Sequence, residues 1–178
     1  MLNIIFSVFW FFLPAGIANM SPVLFKWLPI LKTPVDFNKK FRKKPVFGKN
    51  KTWRGLFCGT LVAILIVYLQ KLLYPYMQAY SLIDYSTINI FLLGFLLGFG
   101  ALFGDLVESF IKRQRNTSPG KSWPPWDQLD WIIGALILVS FLVPLTVSEI
   151  IIALLLFSVL HPLMNILGYA LRIKKNMF

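Results

Sequence analysis

The residues best equipped for chemistry in this chain are few and acidic. Of the 7 Asp and Glu among 178 residues, four gather in two short segments. Asp105, Glu108, Ser109 and Lys112 follow an i, i+3, i+4, i+7 spacing, which on an α-helix forms one stripe. Asp127 and Asp130 follow where Trp123-Pro124-Pro125-Trp126 leads into the next apolar run. An Asp at a helix start can be a cap, but capping accounts for one of these two better than for both. Carboxylates gathered in this way suit a hard cation, because Mg²⁺ takes oxygen ligands and keeps waters and phosphate oxygens in its shell. No Cys/His set has zinc spacing, and the single Cys58, set among apolar residues, reads as a packed thiol.

Basic residues surround these acids: Lys51, Arg54, Lys112, Arg113 and Lys121. Carboxylates, a divalent cation and fixed positive charge together make an environment for polyphosphate. Phosphoryl or nucleotidyl transfer asks the protein mainly for in-line positioning and for neutralisation of charge on the leaving pyrophosphate. Gly48-Lys49-Asn50-Lys51-Thr52 lacks P-loop spacing but can serve as a lysine-bearing phosphate-contact loop. His161, Asn165 and Tyr169 share a second helical stripe, read either as packed polar groups or as substrate contacts. Asn19, just before Ser21-Pro22, has a capping alternative of the same kind.

The elements that must position these groups are membrane helices. The chain is 57% hydrophobic and only 14% charged, which excludes an ordinary soluble core and a disordered tail. Charge-free stretches place five spans at about residues 3–25, 53–73, 86–111, 129–148 and 150–171, in one membrane domain covering 1–178, with working loops at 26–52 and 112–128. The second charge-free stretch is short, and Arg54 and Lys71 are expected to snorkel and extend it. The first has no basic side chain ahead of it and no cleavage pattern, so it reads as a retained helix, kinked or cut short at Pro14 and Gly16. All but Lys71 of the 18 Lys and Arg fall in the first loop, the third loop and the tail, which share one face when there are five spans. The positive-inside rule makes that face cytoplasmic, with the N-terminus outside and the C-terminus inside. Most of the first loop's lysines are explained by topology and anionic lipid heads, and no nucleic-acid recognition module accompanies them.

Three segments carry a family resemblance. Gly104-Asp105-Leu106-Val107-Glu108-Ser109-Phe110-Ile111-Lys112-Arg113 resembles the G-D-x-x-E-S-x-x-K-R block of CDP-lipid synthases, the CTP-dependent cytidylyltransferases of lipid phosphates. Lys51-Thr52-Trp53-Arg54-Gly55 resembles that family's K-T-x-x-G segment, and Asp127-Gln128-Leu129-Asp130 its D-x-x-D ending. The Ser122-Trp123-Pro124-Pro125-Trp126 stretch and the small size resemble the archaeal branch, the CDP-archaeol synthases. The likeness runs from Leu13-Pro14 and Asn19 to His161-Pro162 and Asn165. Two departures stand out. The Trp-Pro-Pro-Trp turn replaces the glycine-rich, histidine-bearing stretch of the larger bacterial enzymes, and Lys49-Asn50 stands where the archaeal branch usually has Asp-Gly.

The resemblance implies that Asp105 and Asp127 help hold Mg²⁺ on the phosphates of CTP. It also implies that Lys112 contacts phosphate, with Lys51, Arg113 and Lys121 as further contacts. Asp105, Lys112, Asp127 and Asp130 are then the expected catalytic set. Thr52, Arg54, Glu108, Ser109, Asn19, His161 and Asn165 join the expected substrate-binding residues. The expectation is an all-α polytopic membrane protein with five transmembrane helices and a polar, cytoplasm-facing cavity. It would join CTP to a lipid phosphate in the cell membrane, with Mg²⁺ as cofactor and pyrophosphate released. The choice between isoprenoid ether and diacyl lipid stays open, as does homo-oligomerisation. The rivals are a CDP-alcohol phosphotransferase, whose D-G-x-x-A-R motif is absent, and a non-enzymatic transporter or lipid-binding module.

Overall fold

The computed structural model describes residues 2–118, 121 and 123–170. In chain order it contains α1 (Leu2–Leu24), a hairpin of strands β1 (Lys40–Phe41) and β2 (Lys44–Pro45), α2 (Trp53–Met77), α3 (Ile90–Gln114), α4 (Trp126–Val139) and α5 (Val147–Ala170). A short 3-10 turn at Gln78–Tyr80 extends α2. Among the described residues the fold is all-α apart from that hairpin of two two-residue strands and an isolated bridge between Pro34 and Thr52, both in the first loop and without counterpart in the hydropathy pattern. The basic residues Arg172, Lys174 and Lys175 of the tail lie outside the described residues.

Among the described residues, four helical stretches are long and apolar enough to cross a membrane: Leu2–Leu24, Trp53–Tyr80, Ile90–Gln114 and Val147–Ala170. The first runs on through Pro14, Gly16 and Pro22 instead of ending early. Where the sequence suggests a span at 129–148, α4 has only 14 residues and stops at Val139. At 1.5 Å per residue that is about 21 Å, short of the roughly 30 Å of hydrocarbon in a bilayer. Pro144 keeps the helix from running on to 148: it brings no N–H and disfavours helix in the residue before it. The chain from Ser140 to Val143 instead closes turns on Leu136, Leu138 and Val139.

α3 is the central element, held between α2 and α4 by two lines of glycine. A Cβ at Gly98 would stand 2.5 Å from Ala63 Cβ and 3.1 Å from Thr60 Cα on α2. On the other side, a Cβ at Gly100 would stand 2.8 Å from Gly134 O, and one at Gly104 would lie 2.9 Å from the Asp130 carbonyl carbon. Small residues allow this close approach, the usual means of packing helices where lipid supplies no hydrophobic drive. The core joins Phe11 and Phe12 of α1, Leu93 and Leu97 of α3, and Trp131 and Ile132 of α4 to Phe157 of α5. Trp131 meets Phe157 edge-on at 5.0 Å. Outward-facing Leu61, Leu65, Leu69 and Leu72 on α2 are exposed, as a lipid-facing stripe requires.

At the end of the bundle remote from the acids, buried Gln70 donates to Trp10 O at 2.5 Å and accepts from Tyr85 Oη at 3.2 Å. This pair satisfies its own polar groups and ties α2 to α1 and to the loop before α3.

Candidate active site

The close approach of α3 and α4 sets the site. With no side chain at Gly104 or Gly134, α4 lies against the middle of α3, and Asp130 comes to rest beside Asp105. Carboxylate oxygens of Asp105, Glu108 and Asp130 all lie within 4.8 Å of one another. Asp105 and Glu108 share the expected face of α3, and Glu108 is buried while Asp105 and Asp130 are half-buried.

Two lysines answer this negative charge. Lys51, from the segment leading into α2, reaches Asp105 Oδ2 at 2.5 Å. Lys112, one turn beyond Glu108, lies 2.9 Å from Glu108 Oε1 and 2.5 Å from Asp127 Oδ1. The other oxygen of Asp127 accepts the Trp123 N–H at 2.5 Å, so this side chain also holds the start of α4 to the segment before it. Asp130 Oδ1 accepts the Trp131 N–H at 2.7 Å.

The first loop is docked onto this end of α3. Lys44 donates to Gln114 O at 2.6 Å, Gln114 donates back to Pro45 O, and Phe41 and Phe47 pack on Phe110 at 5.9 and 6.5 Å. A cleft opens between the loop, α1, α2 and α3. Lys51, Asn50, Thr52 and Asp105 supply its polar end; Pro22, Leu56, Leu102 and Leu106 supply apolar walls. A charged end joined to an apolar wall matches an amphiphile with an anionic head.

A family model described as CarS-like, CDP-archaeol synthase, matches residues 1–178. The chain belongs to the CDP-archaeol synthase family. Its relatives include the CDP-archaeol synthase of Pyrococcus furiosus, 37% identical over 171 residues and covering 96% of both chains. That of Methanocaldococcus jannaschii is 38% identical over 174 residues, covering 97% of this chain and 96% of the relative. The solved structure of an intramembrane enzyme for archaeal membrane lipids biosynthesis matches with a TM-score of 0.71 at 28% identity, over 89% of this chain and 92% of that one. With this membership the chain is a membrane enzyme of the nucleotidyltransferase class.

Against the motifs of CDP-archaeol synthases, the structure sorts the sequence-derived residues. Asp105, Glu108, Asp130, Lys51, Lys112 and Asp127 come together. The partnering differs from the sequence reading: Asp127, expected beside Asp105 as a metal ligand, has its oxygens on Lys112 and the Trp123 N–H, and Glu108 and Asp130 are the carboxylates beside Asp105. Three carboxylates with no nitrogen or sulfur donor fit a hard divalent cation. Ser109 is buried next to Glu108, Arg113 is half-buried, and Lys121 is exposed.

Two residues of the Lys51–Gly55 segment have structural duties. Thr52 is the N-cap of α2 and accepts from Gly55 N at 3.3 Å. Arg54 does not snorkel; it is buried and donates to Lys26 O at 2.9 Å and Leu28 O at 2.5 Å, fastening the end of α1 to the start of α2. Asn19 on α1 and His161 and Asn165 on α5 are half-buried, and α5 packs on α4 and α1, not on α3. Sequence reasoning overlooked Asp36, whose buried carboxylate accepts the N–H groups of Asn38, Phe47 and Gly48 at 2.9, 2.9 and 3.0 Å. Its signal was present: it is the single acid in a loop crowded with lysine.

Proposed function

We propose that this chain transfers the cytidylyl group of CTP to an isoprenoid glycerol phosphate, giving a CDP-archaeol-type lipid and pyrophosphate with Mg²⁺ as cofactor. The observation that carries this reading is the convergence of Asp105, Glu108 and Asp130 within 4.8 Å, flanked by Lys51 and Lys112. Family membership supplies the reaction type, and the cleft that leads from Lys51 and Asp105 onto Leu56, Leu102 and Leu106 suits an anionic lipid.

In this reading Asp105, Glu108 and Asp130 would hold the cation, and Asp127 fixes Lys112. Bound Mg²⁺ supplies neutralisation of the triphosphate and favours departure of pyrophosphate. Lys51 exchanges its contact with Asp105 for a phosphate of CTP, and Lys112, Arg113 and Lys121 add positive charge on the third-loop side. A lipid phosphate oxygen attacks the α-phosphorus in line, and the bond from that phosphorus to the oxygen of the β-phosphate breaks. The attacking oxygen is already ionised, so no general base is required. In this reading the site faces the cytoplasm at the cell membrane, within one membrane domain of 1–178; the support for it is that the helix ends carrying the site adjoin the basic loops.

The test is transfer of label. Detergent-solubilised protein with Mg²⁺ and base-labelled CTP is expected to move label into the organic phase with an ether-linked isoprenoid glycerol phosphate. The ester-linked phosphatidate measures lipid preference. Folded protein that labels neither lipid would overturn the proposal.

A further inference from the structure

Asp36 lies some distance along the chain from every motif of the site, yet its environment is built with care. Its side chain is buried in a loop that is otherwise largely exposed, and only 7% of the residue is accessible. A buried carboxylate is costly unless its oxygens are satisfied, and both oxygens of Asp36 are: Oδ1 accepts from Asn38 N, and Oδ2 accepts from Phe47 N and Gly48 N. The acid thus gathers the two ends of the hairpin β1–β2 onto one point.

Two connections run from that point to Lys51. Gly48, held through its N–H by Asp36, accepts the Lys51 N–H on its carbonyl at 3.2 Å. Val35, the residue before Asp36, donates its N–H to Lys51 O at 2.8 Å, and Pro34 pairs with Thr52 as an isolated bridge. Lys51 is therefore fixed at its N–H by Gly48, which the Asp36 carboxylate holds, and at its C=O by Val35, the chain neighbour of Asp36. Gly48 has φ +95°, a conformation other residues avoid, so the turn is specified both by glycine and by the carboxylate beneath it.

We infer that Asp36 is a positioning residue for the nucleotide: it acts through the backbone of Gly48 and Lys51 to aim the Lys51 ammonium at the site of the triphosphate. This rests on the functional reading above. Asp36 touches no substrate; its effect passes entirely through Lys51. Without it, the loop keeps its aromatic anchor on Phe110 and its link to Gln114, so the bundle folds but Lys51 loses its fixed origin.

A double-mutant cycle with an exchange measurement tests this. Asp36→Asn is expected to raise KM for CTP about tenfold with kcat changed far less, as loss of a binding contact does. In a Lys51→Ala background the same substitution is expected to change KM less than about twofold, because the group it positions is gone. Hydrogen exchange read at the Phe47 and Gly48 amides is expected to speed up in Asp36→Asn while exchange in α3 is unchanged. Equal KM effects of Asp36→Asn with and without Lys51 would overturn the inference, as would unchanged exchange at those two amides. A wild-type protein that transfers no label overturns the functional reading and this role with it. An active wild type with additive substitutions overturns only the role of Asp36.

Discussion

Substituting Gly104 by alanine should separate the chemistry of the site from the stability of the bundle. A Cβ at Gly104 would stand 2.9 Å from the Asp130 carbonyl carbon, nearer still to its oxygen, and 3.2 Å from Gly134 Cα, where ordinary contacts lie at 3.4–4 Å. The obstacle is backbone, so α3 and α4 must part by roughly 1 Å or pay about 1–3 kcal/mol in overpacking. Parting them moves Asp130 away from Asp105 and opens the three-carboxylate set. A displacement of that size at a positioned reactive centre costs about 10²-fold in rate. Gly98→Ala is the matched control: its Cβ would meet Ala63 Cβ at 2.5 Å and Thr60 Cα at 3.1 Å, which strains α2 against α3 and leaves the α3–α4 seam alone. The assay pairs Tm in detergent with kcat for transfer of label from CTP to lipid. Both variants should lose Tm, and only Gly104→Ala should lose about two orders of magnitude in kcat. A Gly104→Ala enzyme with wild-type kcat, or a Gly98→Ala enzyme as impaired as its counterpart, would refute the reasoning.

Further outcomes follow from the same geometry. Lys112→Met leaves Glu108 and Asp127 facing each other without their cation, and breaking so buried an arrangement should cost about 3–5 kcal/mol, read as a lowered Tm together with lost transfer. Burial raises the pKa of Asp36, but the N–H groups of Phe47, Gly48 and Asn38 outweigh it and hold the carboxyl below its ordinary 3.8. A folded-state pKa below the unfolded one gives stability that is present above 3.8 and is lost as pH falls through the lower folded value. The Tm advantage of wild type over Asp36→Asn should therefore be constant at neutral pH and shrink below about pH 4. Chelation of divalent metal should abolish transfer while leaving the helical circular dichroism intact, and added Mg²⁺ should restore it.

Much of this molecule was legible from residue order, and the reason is physical. Charge is so costly in hydrocarbon that the stretches lacking it mark the helices, and Asp105, Glu108 and Lys112 fall on one face because helical periodicity leaves no alternative. α4 was read too long because apolar composition persists past Val139, although Pro144 bars a helix from running through to 148. The partnering of the acids was not legible. Whether Asp127 or Asp130 stands beside Asp105 depends on how closely α4 approaches, and that is decided by the absence of side chains at Gly104 and Gly134. The role of Asp36 was hidden for a related reason: its partners are backbone N–H groups, which every residue but proline carries.

The central claim is that the gathered carboxylates and lysines serve nucleotidyl transfer from CTP to a lipid phosphate. It is tested most directly by following two labels at once, one on the α-phosphorus of CTP and one on the γ-phosphorus, with an isoprenoid glycerol phosphate and Mg²⁺. The account predicts that the α-label enters the lipid phase, the γ-label is released into water as pyrophosphate, and Asp105→Asn abolishes both the transfer and the release, leaving both labels in CTP. Appearance of the γ-label in the lipid, or transfer that persists in Asp105→Asn, would contradict it.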